Sequence, residues 1–94
     1  MRVRWLRRAV ENLNAEAEYT ARDNRVAAAN VVLAIQKAIA RLARYPAMGR
    51  PGRVTGTREL IVPGTPYIIP YRVHNERVEI LRVFHAVRKW PPES

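Results

Sequence analysis

The chain has 94 residues, no cysteine, and 17 Lys and Arg against 8 Asp and Glu, a formal charge of +9. That length makes a single domain, residues 1–94, near the lower limit for folding without covalent help. The lack of cysteine excludes a disulfide framework and a thiolate metal site, so stability rests on an apolar core, for which 48% hydrophobic content suffices.

In chain order, Arg2-Val3-Arg4-Trp5 alternates with the two-residue period of a short strand. From Leu6 the period becomes helical: Leu6, Ala9, Val10, Leu13 and Ala17 form an apolar stripe, and the helix is predicted to run to about Arg22. The opening residues have no apolar run long enough for a signal peptide, and the longest apolar stretch, Val26 to Ile35, is broken by Asn30 and too short for a bilayer. A cytoplasmic protein with no membrane partner is expected. Asp23-Asn24 offers an N-cap for a second helix, whose stripe is Ala28, Val31, Val32, Ile35, Ile39 and Leu42. Pro46 stops it, and so short a link makes the two helices an antiparallel hairpin.

Pro46 to Arg53 is a loop rich in breakers. Three strand-like runs follow: Thr57 to Val62, Tyr67 to Val73, and Arg77 to His85, with turns at Pro63-Gly64-Thr65-Pro66 and His74-Asn75-Glu76. The third run is apolar on both faces in its middle, as a central strand is. Pro70 cannot donate to a ladder, which predicts a bulge or an outward position on an edge. The tail from Ala86 is predicted to be irregular, with Trp90 as a packed anchor. The expected fold class is α+β, in the order β-α-α-β-β-β, with a helical hairpin packed on one face of a mainly antiparallel four-stranded sheet.

Most catalytic constellations are missing: there is no Gly-rich phosphate loop, no cysteine nucleophile and no close pair of histidines. His74 in a turn and His85 at a strand end are poor metal ligands, so neither a metal nor a cofactor is expected. What stands out is positive charge. From Asn24 to Arg58 no acid occurs, while Arg25, Lys37, Arg41, Arg44, Arg50, Arg53 and Arg58 do, a field that attracts polyanions or an acidic protein. On the sheet, Arg58, Arg72, Arg82, His85 and Arg88 form a second basic set, with Tyr71 beside it. Arginine forks suit phosphate or carboxylate, and an imidazole passes protons near neutral pH. The commoner fate of such a histidine is a structural hydrogen bond at the end of the sheet. For Arg58 and Arg72, cross-strand salt bridges with Glu59, Glu76 or Glu79 compete with a binding role. Tyr67 and Tyr71 share a face and are expected to pack against the helices.

The order of elements and several strings resemble the RelE/ParE toxin superfamily, especially its ParE-like plasmid stabilisation branch. The strings are Arg44-Tyr45-Pro46-Ala47-Met48-Gly49-Arg50-Pro51-Gly52, Thr57-Arg58-Glu59-Leu60, Pro66-Tyr67-Ile68-Ile69-Pro70-Tyr71-Arg72-Val73, and Val78-Glu79-Ile80-Leu81-Arg82-Val83-Phe84-His85-Ala86-Val87-Arg88. The resemblance implies the toxin of a type II toxin–antitoxin system, neutralised by an acidic antitoxin whose C-terminal part wraps it, in a hetero-oligomer of higher order. ParE-like members block DNA gyrase; RelE-like members cut messenger RNA on the ribosome. The nuclease branch usually carries an arginine where this chain has Ile68, a loss of charge stabilisation that costs roughly 2 to 4 kcal/mol in such chemistry. The His85-x-x-Arg88 pattern occurs in both branches and does not separate them.

Three functions are therefore open at this level. The leading one is a non-enzymatic gyrase inhibitor that traps the DNA-cleavage complex, binding target or antitoxin through Arg50, Arg53, Arg58, Arg72, Arg82 and Arg88. The alternative is a ribosome-dependent endoribonuclease using His85 with Arg58, Arg72, Arg82 and Arg88. The third is a degenerate toxin kept as a binding module for its antitoxin.

Overall fold

A computed structural model describes residues 1–87. Eight elements follow one another: β1 (Arg2–Trp5), α1 (Arg7–Asp23), α2 (Arg25–Leu42), β2 (Arg50–Pro51), β3 (Arg58–Ile61), β4 (Tyr67–His74), β5 (Arg77–Ile80) and β6 (Phe84–His85). The sheet order is β1-β5-β4-β3-β2, with β6 paired to the start of β4. All pairs are antiparallel except β1 with β5, where Arg2 lies beside Arg77 and Trp5 beside Ile80. Two helices on a mostly antiparallel sheet is the predicted α+β architecture, with six strands in place of four. The extra two are the two-residue pieces β2 and β6.

The helical layer forms for reasons visible residue by residue. Asn24 ends α1 by donating its amide to the Thr20 carbonyl, and starts α2 by accepting the Ala27 amide on its side chain at 2.9 Å. One extended residue thus turns the chain back on itself. Ala28, Ile35, Ala38, Ile39 and Leu42 of α2 are buried, close to the predicted stripe. On α1 the buried positions are Ala9 and Glu16, while Val10 stays exposed. The predicted stripe placed Ala17 inward. Glu16 takes that depth instead because the Tyr67 hydroxyl donates to its carboxylate at 3.1 Å.

The core lies between Ile35 and Leu42 on one side and Leu60, Ile69, Tyr71, Val78 and Ile80 on the other. Val3 and Trp5 of β1 pack against its margin. Tyr67 and Tyr71 are both buried there, as their shared face predicts.

A bulge adjoins Pro70, as one of the two readings has it: between the pairs Tyr71–Ile80 and Ile68–Phe84, two residues of β4 face three of the neighbouring segment. Pro70 is not on an edge; it sits inside β4, opposite Glu59 of β3. Its carbonyl accepts the Leu81 amide at 2.9 Å, but a proline has no amide to return to the Leu81 carbonyl. The Arg82 guanidinium donates to that carbonyl instead, at 2.7 Å. This explains why the third predicted run is not one strand: regular pairing stops at Ile80 and resumes only at Phe84.

The β4–β5 turn places Asn75 at φ 51° and Glu76 at φ 59°, the two left-handed positions of a tight hairpin. Asparagine tolerates that region; glutamate does so at a cost, because its Cβ crowds the backbone. Glu76→Gly is expected to raise stability by roughly 0.5–1 kcal/mol in urea unfolding.

Candidate functional site

The loop between α2 and β3 carries the densest group of sequence-flagged arginines, and one buried acid organises it. Glu59 has a side chain only 1% exposed. Its Oε1 accepts from Nε and an Nη of Arg50, at 3.3 and 3.0 Å. Its Oε2 accepts the Arg53 backbone amide at 3.0 Å, with the Arg53 guanidinium 3.7 Å away. A carboxylate withdrawn from water needs such charged partners, and here they fold the loop onto the sheet. That grip creates β2, which no local pattern predicts. The guanidinium of Arg53 also lies 5.6 Å from the centre of the Phe84 ring, within cation–π range.

A second clasp holds the start of the loop. The Tyr71 hydroxyl donates to the Pro46 carbonyl at 2.7 Å and accepts the Gly49 amide at 2.9 Å. Burial pushes the Tyr71 phenol above its ordinary range; the Gly49 bond and the Arg58 charge oppose that rise. A Cβ at Gly49 would stand 2.6 Å from the Tyr71 ring and hydroxyl, so only glycine allows this approach. Arg58 donates to the Gly49 and Ala47 carbonyls at 2.8 and 3.3 Å. Its partners are therefore loop carbonyls, while Glu59 is taken by Arg50 and Arg53, and Glu79 by Arg72.

The remaining sequence-flagged residues lie elsewhere. Arg72 pairs with Glu79 across β4 and β5 at 2.6 Å, as the cross-strand reading has it. Arg82 is half-buried and committed to the Leu81 carbonyl; burial, and then the nearby Arg8, lower its pKa. His85 is opposite Tyr67, edge-on to its ring at 5.8 Å, and its Nδ1 accepts the Val87 amide at 3.3 Å. It lines a recess with Glu16, Tyr19 and Tyr67. Arg88 and Trp90 lie outside the described residues.

Strand alternation divides this set. Tyr67, Ile69 and Tyr71 face the helices, and His85 shares that side through its pairing with Tyr67. Arg72 belongs to the opposite face with Ile68, Pro70 and His74, and Glu59, beside Pro70, holds Arg50 and Arg53 there. The structure brings Arg50, Arg53 and Arg58 together round one loop, and does not gather His85 with Arg72. Ile68 is 6% exposed, an apolar side chain where a nuclease-type cation would stand. Among the described residues, no group of three or more His, Cys, Asp or Glu could hold a metal ion. Sequence reasoning missed Glu59 as the organiser; its signal was a lone acid directly after the acid-free stretch.

Glu59→Ala is expected to cost about 3 kcal/mol in urea unfolding, because two arginines and an amide lose their acceptor. Arg50→Ala, whose side chain is 47% exposed, is expected to cost no more than about 1 kcal/mol. The Arg72 hydrogen bond, against the opposing effect of desolvation, holds the Glu79 carboxyl below its ordinary range, with the charges of Arg72, His74 and Arg4 adding to it. A depressed folded pKa contributes stability that is complete above the unfolded value and is lost as pH falls through the folded one. The stability gap between wild type and Arg72→Met is therefore expected to be flat at neutral pH and to shrink below about pH 4, followed by urea titration at each pH.

Comparisons with known proteins agree with this architecture. Residues 3–90 match the family described as the ParE toxin of the type II toxin–antitoxin system parDE. A protein of Sinorhizobium fredii named toxin Y4kP is 50% identical over 90 residues, covering 96% of this chain and 93% of that one. Toxin RelE2 of Caulobacter vibrioides is 36% identical over 84 residues, covering 89% and 93%. Among solved structures, a chain of the chromosomal ParDE system from P. aeruginosa superposes with a TM-score of 0.81 at 28% identity, covering 90% and 95%. A chain of the toxin–antitoxin complex RelBE2 from Mycobacterium tuberculosis gives 0.60 at 31% identity, covering 89% and 95%. The hairpin-on-sheet fold, its loop clasped by Glu59, and these likenesses lead to one conclusion: the chain belongs to the ParE toxin family, within the RelE/ParE superfamily of type II toxin–antitoxin systems.

Proposed function

We propose that the chain acts in the cytoplasm as a ParE-like toxin that inhibits DNA gyrase without chemistry of its own. The observation that carries this reading is the division of the basic residues. A ribonuclease must bring a proton carrier and cations to one phosphate. Here His85 and Arg72 lie on opposite faces of the sheet, Arg82 is committed to a backbone carbonyl, and Ile68 supplies no charge. The likeness to the ParDE chain, with the higher of the two TM-scores, supports the same branch.

The antitoxin partner of this reading is an acidic, amphipathic segment. An apolar groove on the outer side of the helical hairpin is lined by Ala17, Ala21, Ala28, Val32 and Leu33, with Glu18 also among its lining residues. Along α2 from Leu33, one exposed side continues through Lys37 and Arg41, with Arg44 exposed in the turn just beyond the helix. An apolar end followed by a cationic end suits a helix that is apolar at one end and acidic at the other.

The test is supercoiling of plasmid DNA by purified gyrase. The expected outcome is loss of supercoiling with accumulation of cleaved DNA, both reversed by the antitoxin. Unimpeded gyrase, together with mRNA cuts in a translating extract that disappear in His85→Ala, would replace this reading with the nuclease one.

A further inference from the structure

The face of the sheet turned away from the helices carries a second basic feature that the loop clasp does not use. Strands β1, β5 and β4 lie side by side, and their registers place six side chains in two rows. One row is Arg2, Arg77 and His74; the next is Arg4, Glu79 and Arg72. Strand spacing sets neighbours in a row about 5 Å apart and the rows about 7 Å apart. Five of the six positions are basic, and all five are exposed.

Only Arg72 is paired, through Glu79. The side chains of Arg2, Arg4, Arg77 and His74 make no hydrogen bond or ion pair among the described residues. In the first row like charges are set directly opposite one another, which weakens a sheet, whereas in the second Glu79 stands between two arginines. Protection of an open edge explains cations on β1, the edge strand. It does not explain Arg77, which lies on an interior strand and, unlike Arg72, has no acid as partner. An anionic ligand explains all of them.

We propose that this face binds the backbone phosphates of duplex DNA. Three features of the array select that ligand. Its cations are four arginines and a histidine with no lysine, and guanidinium forks match phosphate oxygens in pairs. No apolar side chain stands among the six, so an acidic peptide finds no anchor here, in contrast to the hairpin groove. No Phe, Tyr or Trp stands among them either, so the bases of a single strand find only the small His74 ring as a stacking platform. What remains is a flat, regularly spaced set of charges suited to the outside of a double helix. The proposal stands apart from the gyrase reading, because it concerns the free chain and DNA alone.

The experiment is fluorescence anisotropy with the purified full-length protein and a labelled duplex, across a series of salt concentrations and without gyrase. Arg2→Gln with Arg77→Gln removes two charges from the array; Lys37→Gln with Arg41→Gln removes two from α2 and serves as the charge-matched control. The expected result is that the sheet pair weakens binding about tenfold and flattens the salt slope by about 2, while the helix pair changes it little. A second sheet variant, Arg4→Gln, removes one charge from an independent exposed position and is expected to give about half the change in salt slope. Equal losses from sheet and helix pairs would reduce the binding to net charge and overturn the proposal. So would tighter binding of a single strand of the same length, or displacement of the duplex by polyglutamate at equal charge.

Discussion

Strand β4 is the constraint from which the rest of the molecule is built. It has strands on both sides, β3 along one edge and β5 with β6 along the other, so its register cannot drift without breaking several ladders. Once that register is set, every second residue is assigned a destination. Tyr67, Ile69 and Tyr71 enter the core, and Arg72 and His74 go to the far face. Tyr71 then reaches beyond the sheet to hold Pro46 and Gly49, which ties the end of the helical layer to the strands beneath it. The charge distribution is a consequence of the same alternation. Two acids on the far face, Glu59 and Glu79, each fix part of the arginine population and leave the remainder exposed to solvent.

The contrast between the two polar anchors is instructive. Glu79 is met by a single half-exposed arginine and lies in an open array, so its effect is local and responds to pH. Glu59 is enclosed by Arg50 and Arg53 and changes the path of the backbone, converting an irregular loop into an added edge strand. The same pair of residue types thus gives a cross-strand bridge in one place and a loop clamp in the other. Both acids are buried and both arginines about half-exposed, so the number of donors each acid gathers decides which.

The element order was legible because the period changes along the chain: alternation at Arg2–Trp5, helical spacing over both helices, then short apolar runs bounded by turns. The Arg72–Glu79 pair was legible for the same reason. What could not be read depends on tertiary partners. Glu16 is buried because Tyr67, distant in sequence, supplies a hydroxyl. The break after Ile80 follows from Pro70 on the neighbouring strand, and the Arg82 guanidinium meets the Leu81 carbonyl where an amide is missing. The face occupied by His85 depends on a register set only when β6 finds Tyr67. At the candidate site, the arginines were visible as a composition, but their grouping by Glu59 required knowing which acid becomes buried.

The parallel pairing of β1 with β5 joins segments more than 70 residues apart: Arg2 meets Arg77, and Leu6 donates its amide to the Ile80 carbonyl. Such a contact forms late, because a long loop must close before it is rewarded. During synthesis the first strand has no partner until the residues of the fifth have left the ribosome. The two-row cationic array spans both strands, so it does not exist on a partly made chain. A partly made chain that stops before β5 would lack the middle column of that surface, Arg77 and Glu79, and the strand that holds its two sides together.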